Sequence, residues 1–507
     1  VDWDGQIETI LKSLESAAGN FRLQPRVEDL GRVRQVGDGV ALVEGLTEAT
    51  INEVVVFANG TRGEVLDLGK ELVGCVLYGP EEGIPADSPV VSTGQTPSVP
   101  VGERVLGRVM NALGQPRDDL GPIECTERRS IEQEAPGPLQ RQPVKEPLFT
   151  GVKLIDAVVP IGLGQRELIL GDRETGKTSL ALDAIVNQKD SGVVCIYVSI
   201  GQKRASVLEV LETLRSHQAL GYSAIVVADA EDPAPLQYLA PYSGCALAEW
   251  FAYQGRHALV IYDDLTRHAE AYRQISLILR RSPGREAYPG DIFSVHARLM
   301  ERGFKLSDGL GGGSVTALPI VETQRGNISG FIPTNLISMT DGQLFLDSAL
   351  FAQGQLPAID IGRSVSRVGR DAQPGTVRDA AANLRLESAQ YEEVKGFSRF
   401  GAILDESTSR QIARGERLVR LLTQTERQVM PLSVQVAEFW ALKSGLLDVL
   451  ESAQLTTFEQ QLRRLAPDFG HLDSRISSAP AIDNDLAQDL RKWVDQAKAR
   501  LSPIVEG

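Results

Sequence analysis

The spacing of apolar positions changes three times along the chain, and each change predicts a different kind of element. Near the start, Ile7, Ile10, Leu11 and Leu14 recur at helical spacing, so residues 3–18 are expected to form a short helix with one apolar stripe. That stripe packs on its own domain or serves as a handle for a partner. From about 25 to 95 the texture becomes short Val-rich runs broken by Gly, Asn and Asp: 32-RVRQVGDGVALVEGL, 53-EVVVFANGTRGEVLDL and 72-LVGCVLYG. Strands of that length with "GDG" and "NG" turns predict a small antiparallel β-barrel. The middle of the chain then alternates nearly continuous apolar runs with helical segments. The runs 166-RELIL-170, 193-VVCIYVS-199, 224-AIVVAD-229, 258-ALVIYDD-264 and 315-VTALPIVE-322 are the kind found in a parallel sheet covered on both faces. After Gly375 the glycine punctuation thins, and stretches such as 376-TVRDAAANLRLESAQYEEVKGF and 437-AEFWALKSGLLDVLESAQ predict an α-helical bundle. The expected organisation is multidomain: a docking segment over 1–24, a barrel over 25–95, an α/β domain over 96–374 and helices over 375–507.

Length and composition agree with several cores, since 507 residues exceed what one ordinary domain buries. The four cysteines, Cys75, Cys125, Cys195 and Cys245, lie far apart, which argues against a zinc site or a disulfide framework and fits a reducing compartment. His217, His257, His268, His296 and His471 show no metal-ligand spacing and are expected to be surface or packing residues. A formal net charge of −15 without a block of like charge opposes a nucleic-acid footprint. No apolar run approaches the roughly 20 residues that span a bilayer. The opening residues show neither a basic leader nor an apolar signal core. The expectation is a chain with no transmembrane segment, which can still dock on a membrane complex.

Candidate chemistry begins at 171-GDRETGKTSLALDAI-185. Gly171, Gly176, Lys177 and Thr178 satisfy G-x-x-x-x-G-K-[ST], with a predicted strand before and a predicted helix after, as a phosphate-binding P-loop requires. At ordinary glycine usage a chance match in a chain this long is on the order of a few per cent, and the flanking elements lower that further. Inward N–H groups of Asp172, Arg173, Glu174, Thr175 and Ser179 surround the phosphates, Lys177 supplies a point charge, and Thr178 offers a hydroxyl to Mg²⁺. Asp263, at the end of the run 258–264, is expected to hold the metal's water shell, with Asp264 capping or pairing nearby. ATP or ADP with Mg²⁺ is the ligand this set implies.

Several long motifs unrelated to phosphate binding accompany the loop: 201-GQKR, 236-LQYLAPYSGC-245, 284-GREAYPGD-291, 311-GGGSVTALPI-320, 332-IPTNLISMTDGQLFL-346 and 357-PAIDIGRSVSRVG-369. Together with GDRETGKT they resemble the alpha subunits of F-type ATP synthases over nearly the whole chain. The resemblance implies a RecA-like core and an alternating three-plus-three ring with beta subunits around a central gamma stalk. It also implies a peripheral, delta-type stalk at the N-terminus. The location implied is the cytoplasmic, matrix or stromal face of an energy-transducing membrane, touched only through the membrane sector of an ion-translocating, ATP-synthesising machine. Hydrolysis needs a group that activates water, and beta subunits place a glutamate after the strand next to the P-loop strand. The matching position here is Gln202, an amide that cannot accept a proton at useful pH. The resemblance therefore implies a chain that holds nucleotide without splitting it. It also implies that Arg367, in 364-SVSRVG-369, enters the neighbouring subunit's catalytic site as an arginine finger, with Ser364 on the same segment and Ser338 approaching that shared site. By the same likeness Pro357, Gln424 and Glu426 line an adenine pocket.

Four positions depart from the family pattern. Glu174 stands where glutamine is common, Leu356 where an arginine precedes Pro357, Glu426 where a second glutamine is usual, and Arg363 adds a guanidinium four residues before Arg367. Other readings remain: a catalytic subunit of the same or a related export ring, which needs a carboxylate at 202; a hexameric RNA translocase, which the acidic charge opposes; and a scaffold without nucleotide, which Lys177, Thr178 and Asp263 oppose.

Overall fold

The structure is a computed structural model that describes residues 29–398 and 406–501; the helix expected over 3–18 lies outside the described residues. It divides into two units, residues 1–95 and 96–507. In the first, β1 (Leu30–Gly37), β2 (Val40–Glu44), β3 (Val54–Phe57), β4 (Arg62–Leu68), β5 (Leu72–Leu77) and β6 (Pro89–Ser92) close antiparallel in the order β1-β2-β5-β4-β3-β6. Alternate residues point inward, so Val33, Val43, Val55, Val65, Cys75 and Val90 fill the interior and are wholly buried. Closure leaves no strand edge to pair with another chain. At Gly63 a Cβ would stand 2.5 Å from the Val76 carbonyl, which is why β4 and β5 approach only over a glycine.

The second unit is built on a sheet of β7 (Val109–Asn111), β8 (Glu167–Gly171), β9 (Val194–Gln202), β10 (Ser223–Asp229), β11 (His257–Asp263), β12 (Ser314–Glu322), β13 (Gly342–Leu346) and β14 (Val365–Ser366). They run in the order β14-β13-β8-β12-β11-β9-β10-β7, parallel except for β14, and a ninth short strand, Phe304–Lys305, pairs antiparallel with β12. All five runs singled out in the sequence are strands of this sheet, and one expectation, on strand neighbours, is corrected. The sheet is wider than the five runs singled out, because β7 is only three residues long and β13 opens on a glycine, so neither carries a strong apolar signal. The strand that ends at Gln202 follows the P-loop strand in sequence but does not neighbour it, since β12 and β11 cross over to lie between them. The registers Gly171↔Glu322, Gly171↔Leu346 and Ser199↔Asp263 align the carboxyl ends of β8, β12, β13, β9 and β11 along one edge, where open parallel sheets hold their ligands.

Helices cover the sheet: α1 (Lys177–Val186), α2 (Ala234–Tyr253), α3 (Leu265–Ile278) and α4 (Phe331–Met339). Nearly every residue of α2 is buried, as expected of a helix that is apolar all round. His268, on α3, and His296 are wholly buried and share a 3.1 Å hydrogen bond, so both are packing residues. The C-terminal part is helical: α5 (Leu384–Ser398), α6 (Glu406–Leu422), α7 (Leu432–Lys443), α8 (Ser452–Leu465) and α9 (Asn484–Ala499). Its core is continuous with that of the sheet, joining Ile169 and Leu180 to Val434, Phe439 and Phe458. On α9 the buried Trp493 stacks on Phe469 at 5.2 Å and donates its indole N–H to the Leu462 carbonyl. The four cysteines are free. Among the described residues no helix is long and apolar enough to cross a membrane.

Candidate nucleotide-binding site

Between the end of β8 at Gly171 and the start of α1 at Lys177 the chain makes a tight loop. Gly176 sits at φ 91°, a left-handed conformation glycine adopts without strain, and Glu174 at φ 59° points outward, exposed. Asp172 fixes the loop from beneath. Its carboxylate accepts from the Thr323 hydroxyl at 2.7 Å, the Gly326 N–H at 2.8 Å and the Ser348 hydroxyl at 2.9 Å. Burial raises the Asp172 pKa, but these donors outweigh it and hold the group below the usual carboxylate range. The Thr175 hydroxyl donates to the Asp172 carbonyl at 2.8 Å, and Arg173 pairs with Glu322 at the end of β12, 3.2 Å away. Lys177 is buried, and its ammonium donates to the carbonyls of Gly171 at 3.0 Å and Asp172 at 2.6 Å. Desolvation lowers its pKa against the pull of Glu322, Asp264 and Asp263. A buried cation held only by neutral carbonyls suits an incoming polyphosphate.

The second wall is the carboxylate pair at the end of β11. Asp263 is buried and its Oδ2 accepts from the Thr178 hydroxyl at 2.6 Å and the Tyr197 hydroxyl at 2.7 Å. Gln202 Nε2 donates at 3.3 Å both to Asp263 Oδ1 and to Asp264 Oδ2. Asp264 caps α3 by accepting from the Arg267 N–H at 2.8 Å. Burial, and then the charge of Asp263 beside it, push the Asp264 carboxyl up to about 8; burial raises Asp263 as well, against its hydroxyl donors. Thr178 and Asp263 offer only oxygen, the donor type Mg²⁺ selects. The residue at 202 is a donor to these acids rather than a third acid.

A pocket opens beside the loop between Val152, Ser179, Leu346, Leu356, Pro357 and Glu426, with Thr175 and Gly176 at its inner end. Gln424 also lines it, but its amide is committed: Oε1 accepts from the Lys153 N–H at 2.9 Å, and Nε2 donates to the carbonyls of Gly151 at 2.8 Å and Gln428 at 2.7 Å. It forms a wall rather than a free polar group, and Glu426 stands exposed at the rim. Arg427 is the residue sequence reasoning missed. Its Nη1 donates at 2.7 Å to Asp183 Oδ1 and at 2.7 Å to the Ser179 carbonyl, while Nη2 reaches the Ser179 hydroxyl at 3.2 Å. A separation of 244 residues between Arg427 and Asp183 leaves no local signal that would have found it.

Of the three predicted chemical residues of the other segment, the structure brings Arg367 and Ser338 to one end of α4 and buries Ser364 apart from them. Arg367 is exposed, and its Nη2 donates to the carbonyls of Thr340 at 2.5 Å and Ile337 at 3.2 Å, at the negative end of α4. Ser338 is exposed on the same end of α4, with its hydroxyl turned to the Asn335 carbonyl at 2.6 Å. Ser364 is wholly buried, and its Oγ accepts from the Phe345 N–H at 3.0 Å. The added Arg363 lies 3.5 Å over the Phe345 ring. Among the described residues the Arg367 guanidinium contacts no P-loop residue.

A β-barrel, a parallel sheet carrying a P-loop with a carboxylate pair at its edge, and a helical C-terminal part define a P-loop nucleotide-binding protein. Residues 27–94 match the beta-barrel domain of the ATP synthase alpha/beta family, residues 151–366 its nucleotide-binding domain, and residues 373–497 the C-terminal domain of the alpha/beta chains. The chain belongs to the ATP synthase alpha/beta family. It is 50% identical over 459 residues to the ATP synthase subunit alpha of Staphylococcus aureus strain Newman, spanning 90% of this chain and 91% of that one, and to the same degree to that of strain COL. The likeness is thus to the alpha side of the family.

Proposed function

We propose that the chain is the regulatory, non-catalytic nucleotide-binding subunit of a rotary ATP synthase, and that it lends Arg367 to the catalytic site of an adjacent beta subunit. The observation that carries the first half is Gln202. Its amide spans both acids at the mouth of the site, where hydrolysis requires a carboxylate to take a proton from water. Lys177 and the loop N–H groups hold the phosphates, Thr178 and Asp263 hold Mg²⁺, and Val152, Pro357, Gln424 and Glu426 enclose the base. The metal, when bound, screens the phosphate charge. The second half is supported by the exposure of Arg367 at the end of α4, turned to no group of its own site. The partners in this reading are beta subunits in an alternating ring, a central gamma stalk and a peripheral delta-type stalk. The complex sits on the cytoplasmic, matrix or stromal face of the membrane and couples ATP synthesis or hydrolysis to ion transport. The test is equilibrium binding and steady-state phosphate release on one preparation of the isolated chain. Mg-ATP binding without sustained turnover is expected; robust turnover with no partner subunit overturns the reading.

A further inference from the structure

A second cavity, of about 620 Å³, lies where the segment 365–370 meets the start of the C-terminal helices. Arg370, Arg378 and Arg385 line it, beside an apolar wall that includes Val158, Val365 and Leu386. No carboxylate is part of that lining among the described residues. Two of the guanidiniums, those of Arg385 and Arg378, meet neutral acceptors instead. Arg385 Nη1 donates to the carbonyls of Ile361 at 3.1 Å and Ser364 at 3.2 Å, and its Nη2 to those of Ser364 at 3.2 Å and Val158 at 3.4 Å. Arg378 Nη2 donates to the carbonyls of Gln373 at 3.0 Å and Arg370 at 3.4 Å.

Arg370, Arg378 and Arg385 are exposed, so water solvates them in part; three guanidiniums that face one cavity with no acid in its lining still make a local positive field that favours an anion. Partial desolvation, with no acid beside it, holds Arg385 below the usual arginine range, whereas ion pairs raise Arg166, Arg302 and Arg414. Phosphate suits this lining, because guanidiniums pair with its oxygens in parallel bonds, and the apolar wall accepts the body of an ester. We propose that this cavity is an anion site, separate from the P-loop, that takes a phosphate group, free or as the monoester of a small apolar molecule. Occupancy draws Arg385 from the Ser364 carbonyl, three residues before Arg367. That link to the finger rests on the function proposed above; the binding itself does not.

The experiment is arginine modification by phenylglyoxal, read residue by residue by mass spectrometry on the full chain with Mg-ATP saturating the P-loop. Phenyl phosphate and inorganic phosphate are the probes. Joint protection of Arg370, Arg378 and Arg385 is expected, and Arg370→Gln, at an exposed side chain, should weaken it at the other two arginines by about tenfold without moving the melting temperature. Arg378→Gln is the second variant. Protection by phenyl phosphate at about tenfold lower concentration assigns the site to an ester, equal protection assigns it to the free ion, and both uphold the pocket. Absence of protection, or protection undiminished in both variants, overturns it. So does protection that follows only from assembly with other subunits, which would make this face a protein interface. No turnover is read, so the outcome is independent of whether Arg367 acts as a finger.

Discussion

Replacing Glu438 by Gln should stabilise the chain at alkaline pH and leave it unchanged in acid. Glu438, on α7, and Lys153 are wholly buried, their charged ends 3.4 Å apart, and the same ammonium lies 2.9 Å from Glu459, whose side chain is 23% exposed. One cation thus serves two carboxylates, and neither oxygen of Glu438 has a hydrogen-bond partner among the described residues. Burial pushes Glu438 from an ordinary 4.5 up to about 7, with Lys153 pulling it down and Glu459 adding to the rise. Below about pH 4.5 the carboxyl is protonated folded and unfolded, and the shift costs nothing. Between there and pH 7 the unfolded chain releases the proton while the folded chain keeps it, so stability falls as pH rises. Above pH 7 the loss is complete; at about 1.4 kcal/mol per pH unit between the two values it amounts to about 3 kcal/mol. Glu438→Gln keeps the shape without the charge, so it should exceed the parent by about 3 kcal/mol at pH 8 and match it near pH 4.5. Urea unfolding followed by the fluorescence of Trp440 and Trp493, in a background with Trp3 and Trp250 replaced by Phe in parent and variant alike, reports on the core that holds Glu438. A variant less stable than the parent at pH 8 would mean that pairing with Lys153 more than offsets the burial of the Glu438 charge, so that its folded pKa is not raised, and the reasoning would fail.

Arg367→Ala should lower turnover of the reconstituted ring by roughly 10³ or more while Mg-ATP affinity of this chain's own site stays within about twofold, and Arg367→Lys should restore little, because an ammonium loses the planar fork. Near wild-type turnover in an intact ring would reduce Arg367 to a cap on α4. Lys177→Ala should remove most triphosphate affinity, as measured by titration calorimetry, since a phosphate in that loop loses its buried charge partner. Unchanged affinity would show that residues 171–178 are not the grip. Arg427→Ala should leave the buried Asp183 carboxylate without its cation, costing about 2 kcal/mol of stability and about tenfold in nucleotide affinity. A melting curve and a binding isotherm equal to the parent's would refute the role given to that fork.

The P-loop was legible because its chemistry is local: the glycines, Lys177 and Thr178 fall within eight residues between an apolar run and a helical one. Asp263 was legible because a buried parallel strand ends in charge where it leaves the core. The order of strands was not, since the crossovers that insert β12 and β11 between β8 and β9 depend on packing rather than on any short pattern. The charged groups of the C-terminal part were equally hidden. Glu438 lies in a helix buried on nearly every side, where helical periodicity carries no sign of which polar residue will be dry. The commitments of Gln424 to the backbone and of Ser364 to the interior are likewise tertiary facts, although both positions were singled out for their chemistry.

Because Arg427 grips Ser179 across 248 residues of chain, and Gln424 closes the same pocket by bonding Gly151, the C-terminal part is fastened to α1, the helix that follows the P-loop. A molecule filling that pocket therefore works as a clasp between distant parts of one polypeptide. Mass action then gives the clasp a strength set by supply, about 2.7 kcal/mol when free ligand stands at a hundred times its dissociation constant and almost nothing when it is scarce. In the proposed reading, where that molecule is a nucleotide, the last quarter of the chain becomes a gauge of the surrounding adenylate level, firm in plenty and loosened in want.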